Sequence, residues 1–249
     1  MDKSSLLGLV IGLLGGFFGG LVGLGGGVIM IPMMTVFAGL SQREAHGTSL
    51  VAVACTAIMG ALVYFFHGII DWQASLVLAV SAALFSRMGA VYAHSLKEIH
   101  LKRGFGIFIA CVSLLLIAKG FIPGAKEEMA FWPRMFTLFF IGVGTGLISG
   151  MMGVGGGLVM IPAMVILVGM PQHLAQGTSL LAMVPVGIVG ALTHYRLGNI
   201  RVHLALGLAV GTIAGSFLGG TAAVFLPDFY LKVVFALIGV WMSIGYLKA

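Results

Sequence analysis

Charged residues are scarce in this chain of 249 residues: only 8% are Asp, Glu, Lys or Arg, whereas 60% are hydrophobic. A water-soluble domain usually carries about 25% charged residues, so this composition excludes an ordinary soluble globule. It also excludes an intrinsically disordered chain, because disorder requires much charge and few apolar residues. The composition therefore predicts a polytopic membrane protein, with room for roughly eight to ten membrane segments of about 20 residues.

Reactive and metal-binding groups are also rare. The two cysteines, Cys55 and Cys111, lie in apolar stretches, where cysteine behaves as a small core residue. The chain has no Gly-x-Ser-x-Gly, His-Glu-x-x-His or P-loop pattern, so we expect neither an enzyme nor a bound cofactor. The seven carboxylates all lie near segment ends or in loops, which gives no support to a metal or sodium site within the membrane. They are Asp2, Glu44, Asp71, Glu98, Glu127, Glu128 and Asp228.

Basic residues outnumber acidic ones, with 13 Lys and Arg against 7 Asp and Glu. They lie mostly in the loops between apolar segments, where positive charge normally fixes membrane topology. We therefore expect no nucleic-acid partner.

The sequence contains an internal duplication with an offset of 130 residues. The stretch 25–32 (GGGVIMIP) matches 155–162 (GGGLVMIP), and 47–50 (GTSL) matches 177–180 (GTSL). Self-similarity at a fixed spacing indicates repeated structural units. We predict a first transmembrane repeat over 1–118, a linker over 119–133 and a second transmembrane repeat over 134–249.

Each repeat has four apolar stretches, and we predict that all of them are helical. The first stretch of each repeat is too long for one straight crossing, because 35 residues of helix would extend about 52 Å against a hydrocarbon core of ~30 Å. Each long stretch is broken by Gly-Gly-Gly, followed by a proline. The predicted stretches are 5–39, 47–66, 72–93 and 104–119 in the first repeat, and 134–169, 177–195, 202–226 and 229–247 in the second.

The two halves of each broken helix either continue across the membrane or fold back as a hairpin. Arg87 lies inside an apolar stretch and is left out of the charge count. Continuation gives parallel repeats and places at best seven of the other Lys and Arg inside against five outside. A hairpin gives inverted repeats and eight against four, with Lys97 and Arg196 both on the cytoplasmic side. The positive-inside rule thus favours inverted repeats.

The duplicated glycine breaks are the candidate transport site. Irregular backbone within a membrane is tolerated only where it is buried in protein or lines a wet cavity, and paired broken helices mark transporter sites. A helix that starts at a break has unpaired N–H groups and a partial positive charge, which together bind anions. The alternative is that the glycines only allow close helix packing. The predicted anion-binding glycines are Gly25, Gly26, Gly27, Gly155, Gly156 and Gly157.

Two further sets of side chains have candidate roles. The duplicated hydroxyls of Thr48, Ser49, Thr178 and Ser179 are predicted to donate to the anion, or alternatively to cap the following helix. Arg87, inside the stretch 72–93, either neutralises the anion or extends to the lipid headgroups.

Residues at the ends of segments have a simpler interpretation. A cluster of His, Tyr and Arg side chains lies at the ends of the second segments of the two repeats, where His and Tyr are usually anchors at the membrane interface. The cluster consists of Tyr64, His67, His194, Tyr195 and Arg196. For the breaks themselves, we expect alanine at Gly26 or Gly156 to weaken anion binding and to leave stability nearly unchanged.

In these motifs the chain resembles the sulfite exporter TauE/SafE family, also called the toluene-sulfonate uptake permease family. The resemblance covers nearly the whole chain and rests on the order and duplication of the glycine breaks and Gly-Thr-Ser elements. It implies a transporter of sulfur-containing oxyanions or organosulfonates, such as sulfite, thiosulfate or sulfoacetate, in the bacterial inner membrane. It fixes neither the solute nor the direction. The two half-sites should differ, because Gln176 stands where the first repeat has His46.

Two other functions stay open at this stage: a passive anion channel, and a membrane scaffold subunit without transport. The expected partners are a small anionic solute and the lipid bilayer, with a homodimer as an additional possibility.

Overall fold

The computed structural model describes residues 3–93 and 129–248, together with Ile107 and Ala110, and the regular elements in these residues are all helical. Six of the helices, α1, α3, α5, α7, α8 and α9, are long and apolar enough to cross a membrane. The predicted class, an all-α polytopic membrane protein, is confirmed. The helices are α1 (Lys3–Val22), α2 (Gly27–Phe37), α3 (Gln42–Phe66), α4 (Trp72–Ala93), α5 (Phe131–Met152), α6 (Gly157–Ala163), α7 (Gln172–Arg196), α8 (Val202–Phe225) and α9 (Asp228–Lys248).

A single turn of π-helix, Met164–Val168, continues α6. The predicted stretch 104–119, most of the linker 119–133, and Lys97 lie outside the described residues.

Helix α3 begins five residues before the start that hydropathy predicts. Ser41 caps it: the Ser41 hydroxyl accepts a hydrogen bond from the Glu44 amide, and the Glu44 carboxylate accepts one from the Ser41 amide at 3.0 Å. This reciprocal capping box satisfies two amides at the helix start. The Gly-Thr-Ser element at 47–49 therefore lies inside the helix, and the alternative that it caps the helix is wrong.

The chain between α1 and α2 has a backbone that favours glycine. Gly23, Gly25 and Gly26 have φ of 77°, 76° and 78°, in the left-handed region that residues with a Cβ rarely adopt. The chain then turns back along α1. A Cβ built on Gly19 would lie 2.6 Å from the amide nitrogen of Gly26, and the side chain of Met30 packs against Gly15. Helices α1 and α2 thus form a hairpin.

The second repeat has the same arrangement between α5 and α6. Gly153, Gly155 and Gly156 have φ of 65°, 87° and 87°, and α5 ends with Gly153 as its cap. Residues 23–26 form the first break, and residues 153–156 form the second break.

Equivalent helices of the two repeats run in opposite directions. Helices α3 and α7 are related by the 130-residue offset, and they cross with Gly187 against Ala54. Residues later in one helix meet residues earlier in the other, since Gly190 contacts Leu50 and Gly60 contacts Leu180. The two repeats are therefore antiparallel in the structure.

The outer helices pack closely through small residues. Along α1, Gly8, Gly12, Gly16 and Gly20 meet the backbone of α8 at successive turns, so that a Cβ on Gly16 would lie 2.6 Å from the carbonyl oxygen of Thr212. Small residues permit such approach between membrane helices, where packing replaces the hydrophobic effect. The side chains that face outward are apolar, which fits lipid on the outside; examples are Leu76, Val80, Leu84, Phe140 and Phe217.

Candidate functional site

The two glycine breaks lie directly against each other in the interior. A Cβ built on Gly157 would lie 2.5 Å from the carbonyl oxygen of Gly23, and one on Gly27 would lie 2.9 Å from that of Gly153. All residues of both breaks are buried. The structure thus brings the two predicted glycine clusters together at one crossing.

Each break ends in a helix start that has no side-chain cap. Gly26 and Gly156 occupy the cap positions, and neither residue can provide a side-chain hydrogen bond. The carbonyl oxygen of Gly26 accepts from the amides of Ile29 and Met30 at 3.0 and 3.1 Å, which closes the first turn of α2. The earlier amides, those of Gly27 and Val28, are at the positive end of the helix and are buried. Buried, uncapped helix starts are suited to binding an anion.

The two serines of the Gly-Thr-Ser elements hold the breaks in place. The Ser49 hydroxyl reaches the Gly153 carbonyl oxygen at 2.8 Å, and the Ser179 hydroxyl reaches that of Gly23 at 3.2 Å. Each hydroxyl also reaches the carbonyl three residues earlier in its own helix. Since a hydroxyl has one proton, it alternates between these acceptors. Each serine therefore connects its repeat to the break of the other repeat.

The two threonines connect the repeats at the ends of the fold. Thr48 accepts a hydrogen bond from the Arg201 amide at 3.1 Å, and Thr178 accepts one from the Asp71 amide at 3.0 Å. Both threonine side chains are fully buried. All four side chains of the Gly-Thr-Ser elements thus join the two halves, and the hydrogen bonds of Ser49 and Ser179 hold the breaks.

Apolar side chains fill the space beside the middle glycines. The Val53 side chain lies against both breaks, 3.1 Å from a Cβ built on Gly25 and 2.7 Å from one on Gly155. Its equivalent in the second repeat, Met183, also contacts Gly25. In this structure the crossing is packed by Val53 and Met183, so a bound anion requires these side chains to move.

Arg87 lies on the exposed face of α4, whereas the breaks are buried. Two residues further on, Gly89 packs against the backbone of Leu147 in α5. The structure does not place the Arg87 side chain among the residues that contact the breaks, which favours a role at the lipid headgroups.

The structure predicts that alanine at Gly26 or Gly156 lowers the stability of the fold. Gly26 and Gly156 both have positive φ, and a Cβ on Gly156 would lie 2.5 Å from Cγ2 of Thr145. A Cβ on Gly26 would overlap with the carbonyl group of Gly15. Both substitutions should therefore destabilise the fold, which corrects the expectation of nearly unchanged stability.

The prediction of interfacial anchors is wrong for Tyr64 and His194, which are buried, whereas His67, Tyr195 and Arg196 are exposed. Tyr64 is fully buried, and its hydroxyl donates to the side-chain oxygen of Gln176 at 2.9 Å. His194 is 7% exposed and packs against Gly47. The 130-residue offset relates Tyr64 to His194 and Gln176 to His46. The two sides of the crossing consequently differ in their polar side chains, as the His46/Gln176 difference in the sequence indicates.

Ion pairs lie at the two ends of the fold, away from the breaks. Arg201 pairs with Glu44 at 2.7 Å beside a cavity of about 450 Å³, which the starts of α1, α3 and α8 and the end of α2 line. Arg134 pairs with Asp71 at the other end. Among the described residues, no group of His, Cys, Asp and Glu could hold a metal ion.

Comparisons with known proteins agree on one family. The sequence model of the sulfite exporter TauE/SafE family matches residues 8–246. A probable membrane transporter protein of Xylella fastidiosa is 28% identical over 248 residues, covering 98% of this chain and 92% of that protein. The probable membrane transporter protein YunE of Bacillus subtilis is 27% identical over 233 residues, or 85% of each chain. One from Haemophilus influenzae is 28% identical over 262 residues, covering 96% of this chain and 97% of that protein. No solved structure gives a significant match.

Proposed function

The chain belongs to the sulfite exporter TauE/SafE family, and from that premise we propose that it transports a small sulfur-containing anion, such as sulfite, thiosulfate or an organosulfonate. Membrane transport itself follows from the family and from the relatives, which are named probable membrane transporter proteins. The six long apolar helices make the chain a multi-pass membrane protein.

The observation that carries the anion assignment is the contact of each buried, uncapped helix start with the opposite break. Each helix N-terminus acts as roughly half a positive charge, so the pair provides about one charge at the crossing. That charge balances an anion without Lys or Arg, and the described residues offer no metal-binding cluster that would suit a cation instead. The first amide N–H groups of each helix are hydrogen-bond donors, which suits the acceptor oxygen atoms of an oxyanion.

The antiparallel repeats suggest how such a site opens to either side of the membrane. The breaks belong to equivalent hairpins that point in opposite directions and meet at the crossing. In transporters of this type, one repeat moves against the other and exposes a fixed site alternately to each side. Val53 and Met183 are the side chains that such a movement must displace from the crossing.

The test is uptake by proteoliposomes that contain the purified protein, under an imposed proton gradient. The solutes are sulfite, thiosulfate, methanesulfonate, sulfate and acetate, and the control vesicles contain no protein. We expect concentrative, saturable uptake or efflux of one of the three sulfite, thiosulfate and sulfonate solutes, with acetate excluded. Dissipative flux of all small anions would indicate a channel instead, and no flux of any solute would indicate a scaffold; either result would contradict the proposal.

A further inference from the structure

The second break has two hydroxyl groups beside it that the first break lacks. Thr145 and Ser149 lie one turn apart on α5 and are 0% and 1% exposed. A Cβ built on Gly156 would lie 2.5 Å from Cγ2 of Thr145 and 3.8 Å from Oγ of Ser149. Neither hydroxyl has a hydrogen-bond partner in the part of the chain that the structure describes.

Unpaired hydroxyls are unusual at such positions. A Ser or Thr inside a helix commonly donates to the carbonyl four residues earlier. Ser81, Thr137 and Thr193 do so in this structure, at 2.7, 2.8 and 2.8 Å. A buried polar group without a partner is destabilising, and native structures keep few of them. Two such side chains, one turn apart and both packed against the same glycine, point to a ligand that completes their hydrogen bonds.

The duplication shows that the arrangement belongs to one repeat only. The equivalents of Thr145 and Ser149 are Gly15 and Gly19, which have no side chain to donate. There, backbone packs on backbone, since a Cβ on Gly19 would lie 2.6 Å from the Gly26 amide nitrogen. The first break is therefore packed by its own hairpin backbone, whereas the second break packs against the hydroxyl-bearing side chains of Thr145 and Ser149.

We propose that the anion binds at the second break, where the hydroxyls of Thr145 and Ser149 and the first amides of the helical segment Gly157–Val168 hold its oxygen atoms. This assignment rests on the proposed function. The methyl group of Thr145 now faces Gly156. Thr in helices populates two side-chain rotamers, so rotation about χ1 replaces that methyl group by the hydroxyl. The first break then serves as the packing partner, so the site is one-sided.

The experiment removes each hydroxyl and compares the result with the same substitution at a buried control position. Thr145→Val and Ser149→Ala are compared with Thr56→Val and Ser86→Ala, which remove equally buried hydroxyls without described partners at positions that do not contact the break glycines. Thr145→Ser retains the hydroxyl and completes the set. Affinity for sulfite, thiosulfate and methanesulfonate is measured by titration calorimetry in detergent, together with the melting temperature of each variant.

We expect Thr145→Val and Ser149→Ala to bind the anion about tenfold more weakly, which is the usual effect of losing one hydrogen bond to a charged group. Thr145→Ser and both control variants should bind like the wild type, and no melting temperature should fall. If Thr145→Val fails to fold, Ser149→Ala carries the same test.

Equal affinities in all five variants would overturn the assignment to the second break and leave the proposed function standing. A wild-type protein that binds none of the three anions would overturn both.

Discussion

Ser49 and Ser179 occupy positions from which a single side chain satisfies a carbonyl of the opposite repeat. The carbonyl oxygens of Gly153 and Gly23 are buried at the breaks, where a missing donor would leave them unpaired. The neighbouring Thr48 and Thr178 hydroxyls accept hydrogen bonds from backbone amides in the loops that precede α8 and α4. At the scale of residues, the repeated Gly-Thr-Ser elements therefore maintain the geometry on which any solute site depends.

The hydrogen bond between Tyr64 and Gln176 also joins the repeats, and its removal should be measurable. Tyr64→Phe deletes the hydroxyl, leaves the buried oxygen of Gln176 without its donor, and should reduce stability by about 1 kcal/mol. The measurement is the melting temperature in detergent, with Tyr195→Phe as the control because Tyr195 is 64% exposed. An unchanged melting temperature for Tyr64→Phe would show that the bond contributes no stability.

Tight glycine contacts set the distances between the helices. At Gly16, a Cβ would lie 2.6 Å from both the Cα and the carbonyl oxygen of Thr212, so α1 and α8 cannot keep their separation if a methyl group is added. Gly144, on α5, has no atom within 4 Å of such a Cβ. The same substitution thus has opposite consequences at two helical glycines.

We expect Gly16→Ala to lower the melting temperature by several degrees and Gly144→Ala to leave it unchanged or raise it. Alanine stabilises a helix by up to about 1 kcal/mol over glycine where space allows, and overpacking costs roughly 1–3 kcal/mol where it does not. Thermal unfolding of both variants in one detergent makes the comparison. A stable Gly16→Ala protein would mean that α1 and α8 do not pack as described.

Structural features that depend on consecutive residues can be predicted from the sequence, whereas features that depend on contacts between distant residues cannot. The glycine runs and the prolines after them predict two broken helices, and α4 begins where hydropathy places it, at 72. Hydropathy places the start of α3 too late, because polar residues between 42 and 46 lower the mean hydropathy of this stretch. The capping box of Ser41 and Glu44 marks the true start of the helix. Hydropathy weighs the polarity of a segment and not its hydrogen bonds.

The site was less predictable than the helices. Tyr64 lies at a segment end, where the sequence indicates an interface anchor, but the opposite repeat buries it against Gln176. Thr145 and Ser149 show no sequence pattern at all, because an unpaired hydroxyl is defined by what surrounds it in space. Residues that meet across the two repeats are therefore the ones that sequence reasoning misses.

Because α3 and α7 are antiparallel, the start of α3 and the end of α7 lie at the same end of the fold. Thr48, near the start of α3, bonds to the start of α8, and Asp71, just after α3, pairs with Arg134 near the start of α5. Arg43 and Arg196 thus lie at one end, and Trp132 lies at the other. The positive-inside rule places the end with Arg43 and Arg196 in the cytoplasm.

Cysteine labelling from one side of the membrane tests this orientation. With Cys55 and Cys111 replaced, single cysteines at Arg43, Arg196 and Trp132 are labelled in intact cells with an impermeant maleimide; all three positions are exposed. We expect labelling at Trp132 only, with Arg43 and Arg196 reacting after the cells are broken. Labelling of Arg43 and Trp132 from the same side would contradict the antiparallel arrangement.

We expect a sulfur oxyanion to bind where the two breaks meet. The most direct test is a crystal structure of the protein soaked with selenite, which resembles sulfite in shape and can be located by the anomalous scattering of selenium. We predict one anomalous peak beside the amides that follow Gly156, placed so that the selenite oxygen atoms accept hydrogen bonds from them, and excess sulfite should abolish it. A peak beside the Glu44–Arg201 ion pair alone, or none at the breaks in a protein that transports sulfite, would contradict the account.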